Sequence, residues 1–158
     1  MKLNHRKLLD GMLEICGVPP EKFRTICSSI DKLDKQSFEQ VKKEMVEEKG
    51  LSSEIADRIG NFVKEKGAPL ELLSKLRQEG SEFLDNQSSR EALDELSIMF
   101  EALKRSKCSE RIVFDLSLAR GLDYYTGVIF EAVCIGAEVK SRILASCNSI
   151  KEIVVYGL

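Results

Sequence analysis

The segment RGLDYYTG, which begins at Arg120, concentrates residues that could contact a ligand. Arg120 offers a planar cation with several N–H donors, which suits a phosphate or carboxylate oxygen. Tyr124 and Tyr125 offer flat faces and hydroxyl groups, which can stack on a ring or hydrogen-bond to it. These residue types predict a small polar aromatic ligand that carries an anionic group. A purely structural turn, with the tyrosines packed at its edge, explains the residues equally well, because Gly121 and Gly127 are turn formers.

Two alternating apolar runs flank this segment. The first includes Ile112, Phe114, Leu116 and Leu118, and the second, VIFEAVCI, begins at Val128. Alternation predicts strands, and the pair most simply forms an antiparallel hairpin with a wide connection. Two strands alone are only marginally stable, so a further sheet strand or helices must cover them. The further strand candidate is EIVVY near the C-terminus.

From Asn4 to about Ser106 the apolar residues recur at helical spacing and predict about six short helices. Sequence signals for helix ends divide this region: Asn4 as an N-cap, Gly17 as a stop, the capping-box pairs Ser37/Gln40 and Ser88/Glu91, and Pro69 in a first turn. The predicted fold class is therefore α+β, mainly α, with a helical array followed by an antiparallel β-hairpin.

The charges nearly cancel, with 24 basic and 26 acidic residues. Bulk electrostatics therefore gives no reason to expect tight, sequence-independent binding to nucleic acid or to an anionic membrane. The mixed-charge run VKKEMVEEKG could touch phosphates, but alternating signs on a helix favour a solvated face. No apolar run approaches about eighteen residues, so we expect a cytoplasmic protein without a membrane partner.

The five cysteines form no CxxC pair, and their odd number and wide spacing favour reduced thiols. Cys16 and Cys27 lie on apolar helix faces and are expected to behave as small hydrophobic residues. His5 is the single histidine, which excludes a His-rich zinc site and argues against Ser/His/Asp or Cys/His catalysis. No metal site is predicted.

The run LARGLDYYTGVIFEAV resembles the first histidine-specific signature of histidyl-tRNA synthetases. KLNHRKLLDGMLEICGV and FRTICSSIDKLDK are similar to the stretch that precedes it in eukaryotic cytosolic members. The likeness extends from about Lys2 to about Val139. It implies a class II aminoacyl-tRNA synthetase that activates L-histidine with ATP and Mg²⁺, transfers it to tRNA(His), and forms a homodimer.

The resemblance also implies roles for the site residues. Arg120 would contact the histidine carboxylate and the α-phosphate, where negative charge builds as pyrophosphate leaves. Tyr124 and Tyr125 would surround the imidazole and the amino group. The helical region from about Val18 to Cys108 would be the insertion domain, which in the family lies against the tRNA acceptor arm.

Four segments follow from the resemblance: a helix adjoining the catalytic core at 1–17, the helical insertion domain at 18–110, the hairpin of the catalytic core at 111–138, and a divergent tail at 139–158. The arginine-bearing motif two, motif three and the second histidine signature do not occur in the sequence. The tail does not align with the family, which indicates a truncated or alternatively spliced product or an incomplete gene model.

The expected function is that of a fragment of a histidine–tRNA ligase, which supplies part of the histidine and adenylate pocket. Such a chain is expected to be inactive alone and to bind no cofactor alone, because transition-state stabilisation needs several groups placed together. The alternative is a non-catalytic helical module that binds RNA or protein. A third possibility is a product without a settled function, whose hairpin exposes an apolar face.

Overall fold

The computed structural model describes residues 1–121 and 126–132 and, for 133 and 142–147, the backbone. These residues form a mostly helical structure on a small mixed sheet. The elements are β1 (Lys2–His5), α1 (Arg6–Cys16), α2 (Phe23–Asp31), α3 (Phe38–Glu47), α4 (Ser53–Val63), β2 (Lys66–Gly67), α5 (Pro69–Leu76), α6 (Glu82–Asp85), α7 (Gln87–Arg105), β3 (Val113–Asp115), β4 (Val128–Val133) and β5 (Arg142–Cys147). Short 3-10 helices cover Pro20–Lys22, Lys32–Asp34 and Ser109–Arg111.

The described strands form one sheet in the order β2-β3-β1-β4-β5. The strand β1 pairs in parallel with β3 and antiparallel with β4, so that Leu3 lies opposite both Phe114 and Phe130. The strand β5 adds to the outer edge of β4 in antiparallel register. The N-terminal strand is thus surrounded by strands from much later in the chain.

The predicted hairpin between the two alternating runs is wrong. Strands β3 and β4 are not neighbours, because β1 lies between them and pairs with both. The sequence KLNH is too short to show an alternating pattern, and its apolar content resembles the start of the following helix. The further strand candidate EIVVY lies outside the described residues.

The strand β3 is also shorter than the alternating pattern predicts. Asp115 ends it, because its Oδ1 accepts hydrogen bonds from the backbone N–H and the hydroxyl of Ser117 at 3.0 and 2.6 Å. The N–H of Leu118 then closes a turn onto the Asp115 carbonyl. A short acidic side chain that binds its own backbone two residues on is a turn former.

Asn4, predicted as an N-cap, has a different role. Its side-chain amide donates to the carbonyls of Leu116 and Leu118, at 3.4 and 3.0 Å, so β1 supports the turn after β3. The cap of α1 is His5, whose Nδ1 accepts the N–H of Lys7. The prediction was wrong by one residue because the strand occupies the position before the helix.

The six predicted helices are present as α1 to α5 and α7. Gly17 ends α1 with a φ of 82°, and both hydrogen bonds of the Ser37/Gln40 capping box are formed. Pro69 begins α5 as expected. The predicted Ser88/Glu91 box is wrong, because α7 starts earlier and its N-cap is Asn86, which accepts the N–H of Ser89.

The helix α1 packs most extensively against α7, and both contribute to one continuous apolar core with the sheet. No helix among the described residues is long and apolar enough to cross a membrane. The division into segments 1–17, 18–110, 111–138 and 139–158 stays a prediction. The sheet nevertheless joins all four of them, because β1 comes from the first, β2 from the second, β3 and β4 from the third and β5 from the fourth.

Candidate functional site

Arg120 follows the turn after β3, and its side chain is 14% exposed. Each nitrogen of its guanidinium donates to a different carboxylate. The Nε donates to Asp31 Oδ1 at 2.6 Å, the Nη1 to Glu131 Oε1 at 2.8 Å, and the Nη2 to Asp34 Oδ2 at 3.0 Å. The residue that sequence analysis placed in a ligand pocket therefore lies in a network of ion pairs.

Three elements supply these carboxylates. Asp31 is the last residue of α2, and Asp34 ends the 3-10 helix that continues it. Residues three apart lie on the same side of such a helix, so both reach one arginine. The C-terminal end of a helix also carries a partial negative charge that attracts cations. Glu131 comes from β4 and its side chain is fully buried.

A second cation lies beside the first. Lys2 on β1 places its Nζ 3.0 Å from Asp34 Oδ1 and 3.6 Å from Asp115 Oδ2. Burial opposes the charge of Lys2, but the hydrogen bond with Asp34 and the nearby carboxylates outweigh it and raise the pKa of the ammonium group. We call this set the Arg120 cluster: Lys2, Asp31, Asp34, Asp115, Arg120 and Glu131.

Among the described residues, the Arg120 cluster brings together four carboxylates and two cations. Burial alone would lower the pKa of Arg120, but the hydrogen bond with Asp31 and the charges of Asp31, Glu131 and Asp34 raise it. Guanidinium has five N–H donors. The described residues engage one on each nitrogen, which leaves one on Nη1 and one on Nη2 for a further acceptor.

Tyr124 and Tyr125, the other predicted ligand contacts, lie outside the described residues. Gly121 has a φ of 68°, which favours glycine and lets the chain turn directly after Arg120. On the other side, the Gly127 carbonyl accepts the N–H of Arg6 at 2.8 Å, which ties the start of β4 to the start of α1.

The described residues do not fit a bound magnesium ion. No three or more of their His, Cys, Asp and Glu side chains are grouped as metal ligands. The carboxylates of the Arg120 cluster are engaged by Arg120 and Lys2 instead. Asp115 is further engaged by Ser117.

The prediction that Cys16 and Cys27 behave as small hydrophobic residues is confirmed. Both are buried, and burial raises the pKa of Cys16 to about 11 and of Cys27 to about 12. A thiol with so high a pKa is a poor nucleophile near neutral pH. Cys108 is exposed.

The sequence pattern indicated neither the partners of Arg120 nor the role of His5. A glutamate inside the apolar run VIFEAV was the available signal for Glu131, since a charge at a buried strand position needs a partner. For Asp31 and Asp34, the sequence offered only their three-residue spacing as an indication that both could contact one partner. His5 is fully buried, and its Nε2 lies 3.1 Å from Glu95 Oε2 on α7.

The fold is similar to that of solved histidyl-tRNA synthetase structures. The chain resembles a crystal structure of histidyl-tRNA synthetase from Nostoc sp., with a TM-score of 0.75 and 29% identity over 82% of this chain and 30% of that one. It shares its fold with a Bacillus halodurans chain described as an ATP phosphoribosyltransferase regulatory subunit/histidyl-tRNA synthetase, at a TM-score of 0.66 and 21% identity over 90% of this chain and 35% of that one.

A sequence profile of the family described as histidyl-tRNA synthetase matches residues 1–144. The chain belongs to the histidyl-tRNA synthetase family. It is 99% identical over 141 residues to the cytoplasmic histidine–tRNA ligase of Arabidopsis thaliana, covering 89% of this chain, and 68% identical over 145 residues to that of rice, covering 92%. It spans 16% and 18% of the lengths of these two relatives.

Proposed function

We propose that this chain supplies part of the histidine and adenylate pocket of a histidine–tRNA ligase and is inactive alone. In the reaction, a carboxylate oxygen of histidine attacks the α-phosphorus of ATP, and the bond to pyrophosphate breaks. A terminal ribose hydroxyl of tRNA(His) then attacks the carbonyl carbon of the adenylate and AMP leaves. Family membership and the names of the relatives support this proposal.

The Arg120 cluster is the observation that carries the proposal. An amino acid presents an ammonium group next to a carboxylate, so it suits a site with both signs of charge. The two remaining donors of Arg120 suit an oxygen of the histidine carboxylate or of the α-phosphate to which it becomes joined in the adenylate. Tyr124 and Tyr125 are proposed to contact the imidazole and the amino group.

Lys2 and Arg120 cannot neutralise a triphosphate, because four carboxylates already surround them. We therefore propose that ATP and its Mg²⁺ are held mainly by residues of the ligase outside this segment. A cytoplasmic location and a homodimeric parent enzyme are proposed by the same family resemblance, and the Arabidopsis and rice relatives are named as cytoplasmic.

Histidine-dependent exchange of pyrophosphate into ATP tests the proposal. The isolated chain is expected to show no exchange above background. In the full-length Arabidopsis relative, Arg120→Lys at the matching position is expected to lower the exchange rate at least about 100-fold, because lysine keeps the charge but loses the planar fork. Unchanged exchange in this variant would refute the role of Arg120, and robust exchange by the isolated chain would refute its inactivity.

A second candidate is RNA binding by the helical segment. Four exposed basic residues lie within eight positions, from the last turn of α7 to the end of the 3-10 helix that follows it, and none forms an ion pair with another described residue: Lys104, Arg105, Lys107 and Arg111. Phosphate contacts weaken steeply with salt. A gel shift with acceptor-stem RNA at about 50 and about 200 mM salt should lose most of its complex at the higher concentration. Absence of a shift at low salt would refute this candidate.

A further inference from the structure

We propose that Asp31 and Asp34 are positioning residues that hold the Arg120 guanidinium in the orientation its ligand requires. Through them the helical segment would control the geometry of an arginine that the sheet carries. This inference rests on the proposed function of Arg120 as a ligand contact. It adds two residues of the helical segment to the functional site.

Three ion pairs hold the Arg120 guanidinium at its three nitrogens. Asp31 binds Nε, Asp34 binds Nη2 and Glu131 binds Nη1, so contacts at three corners fix both the position and the plane of the guanidinium. A free arginine side chain would have many rotamers to lose when a ligand binds. Because the ion pairs already order the guanidinium, ligand binding loses less conformational entropy, and the two remaining donors keep a fixed direction.

The two aspartates hold Arg120 from α2 and the 3-10 helix that continues it, and Glu131 holds it from β4. Without Asp31 and Asp34, Nη1 alone would remain attached, and the guanidinium could rotate about that contact. Lys2 would also lose its partner at 3.0 Å and keep Asp115 at 3.6 Å. The orientation of Arg120, rather than its charge, therefore depends on the aspartates.

The helix that carries them has an anchor of its own. Ile26, Cys27 and Ile30 of α2 are fully buried in the core, whereas the Asp31 side chain is 38% exposed. Partly exposed ion pairs contribute little to stability. Substitution of the aspartates should therefore leave the fold in place and act mainly on Arg120 and on its neighbour Lys2.

Nuclear magnetic resonance of this chain tests the positioning directly. The Nε–H signal of Arg120 is assigned from its loss in Arg120→Lys. In the double variant Asp31→Ala/Asp34→Ala that signal should move to the position of exposed arginines, and its exchange with water should become faster. Asp94→Ala is the matched control, since Asp94 is an exposed carboxylate paired with Arg77. An unchanged Arg120 signal in the double variant would overturn the proposal.

Kinetics then tests the functional consequence. At the matching positions of the full-length Arabidopsis relative, the double alanine variant should lower kcat for pyrophosphate exchange about 10- to 100-fold, with less effect on KM for ATP. Asp31→Asn/Asp34→Asn should be intermediate, because asparagine keeps a neutral acceptor. Asp94→Ala should leave the rate unchanged. A normal kcat in the double alanine variant would overturn positioning, whereas a normal kcat in Arg120→Lys would overturn the proposed function itself.

Discussion

Arg120 donates its Nε–H to Asp31 at 2.6 Å, although the two residues are 89 positions apart. The same guanidinium contacts the fully buried carboxylate of Glu131 on β4. One side chain thus joins helix α2, the turn after β3 and the strand β4. Because a carboxylate that is buried away from water needs a partner for its charge, Arg120 is expected to be important for stability.

Arg120→Ala is expected to lower the free energy of unfolding by about 3 kcal/mol, because it removes a cation from a buried carboxylate. Urea unfolding of the chain near neutral pH measures the change. Arg58→Ala is the matched control, since Arg58 and its partner Glu82 are both about half exposed. We expect a loss below about 1 kcal/mol there. Equal losses in both variants would contradict the prediction.

The buried His5 is expected to make the free energy of unfolding depend on pH. Burial lowers its pKa below the ordinary 6.5, and the hydrogen bond with Glu95 only partly opposes this. The unfolded chain therefore binds the proton at a higher pH than the folded chain does. The stability contributed by neutral His5 is complete above about pH 6.5 and is lost as the pH falls toward the lower folded pKa.

Urea unfolding at several pH values between about 7.5 and about 5 should show this loss. His5→Asn keeps a side-chain acceptor for the N-cap but does not titrate in this range. The variant should be less stable at neutral pH, and its stability should depend less on pH. If the free energy of unfolding depended on pH equally in both proteins, His5 would not be the cause of the pH dependence.

Much of the helical part could be predicted because its signals are local. Gly17 and the Ser37/Gln40 pair act on backbone groups within the same turn, so the sequence shows them directly. The start of α7 was missed because Asn86 competes with Ser88 for the cap, and packing of Asn86 and Ser89 near Gly11 favours the earlier position.

The sheet could not be predicted in the same way. The pairing of β1 with β3 and β4 joins segments more than a hundred residues apart, and a four-residue strand has almost no pattern of its own. Nearness in the sequence favoured the hairpin, but strand β1 occupies the place between the two runs. Long-range pairing is decided by the whole core.

For the candidate site, the sequence indicated Arg120 but not its surroundings. An arginine between two strands is unusual enough to notice, and the family resemblance gave it a role. Asp31 and Asp34 belong to a charged helical segment that looks like an ordinary solvated face. Only the fold shows that this face meets the sheet at Arg120.

Gly11→Ala should destabilise the contact between α1 and α7. An added Cβ would lie 2.1 Å from Ser89 Oγ and 2.6 Å from Asn86 Oδ1, and Asn86 is the N-cap of α7. Overpacking of this kind costs about 1–3 kcal/mol, which exceeds the gain of about 1 kcal/mol in helix propensity. The expected result is a lower Tm than that of the unmodified chain.

Gly60→Ala is the control for this substitution. Its Cβ would meet the ring of Phe38, which is only partly buried and can turn aside at low cost. Thermal unfolding followed by circular dichroism should therefore show a smaller loss for Gly60→Ala. If Gly11→Ala were the more stable of the two, the close approach of α1 and α7 would not be the constraint.

The cysteines are expected to differ strongly in reactivity. Burial raises the pKa of Cys16 to about 11 and of Cys27 to about 12, while Cys108 is exposed. Since the thiolate is the nucleophile, iodoacetamide at neutral pH should alkylate Cys108 before Cys16 and Cys27, and should reach those two only after unfolding in urea. Mass spectrometry of the digested chain measures each site, and Cys108→Ser should remove the fast phase assigned to this residue. Rapid alkylation of Cys27 in the folded chain would mean that helix α2 opens readily, which its fully buried residues Ile26 and Ile30 argue against.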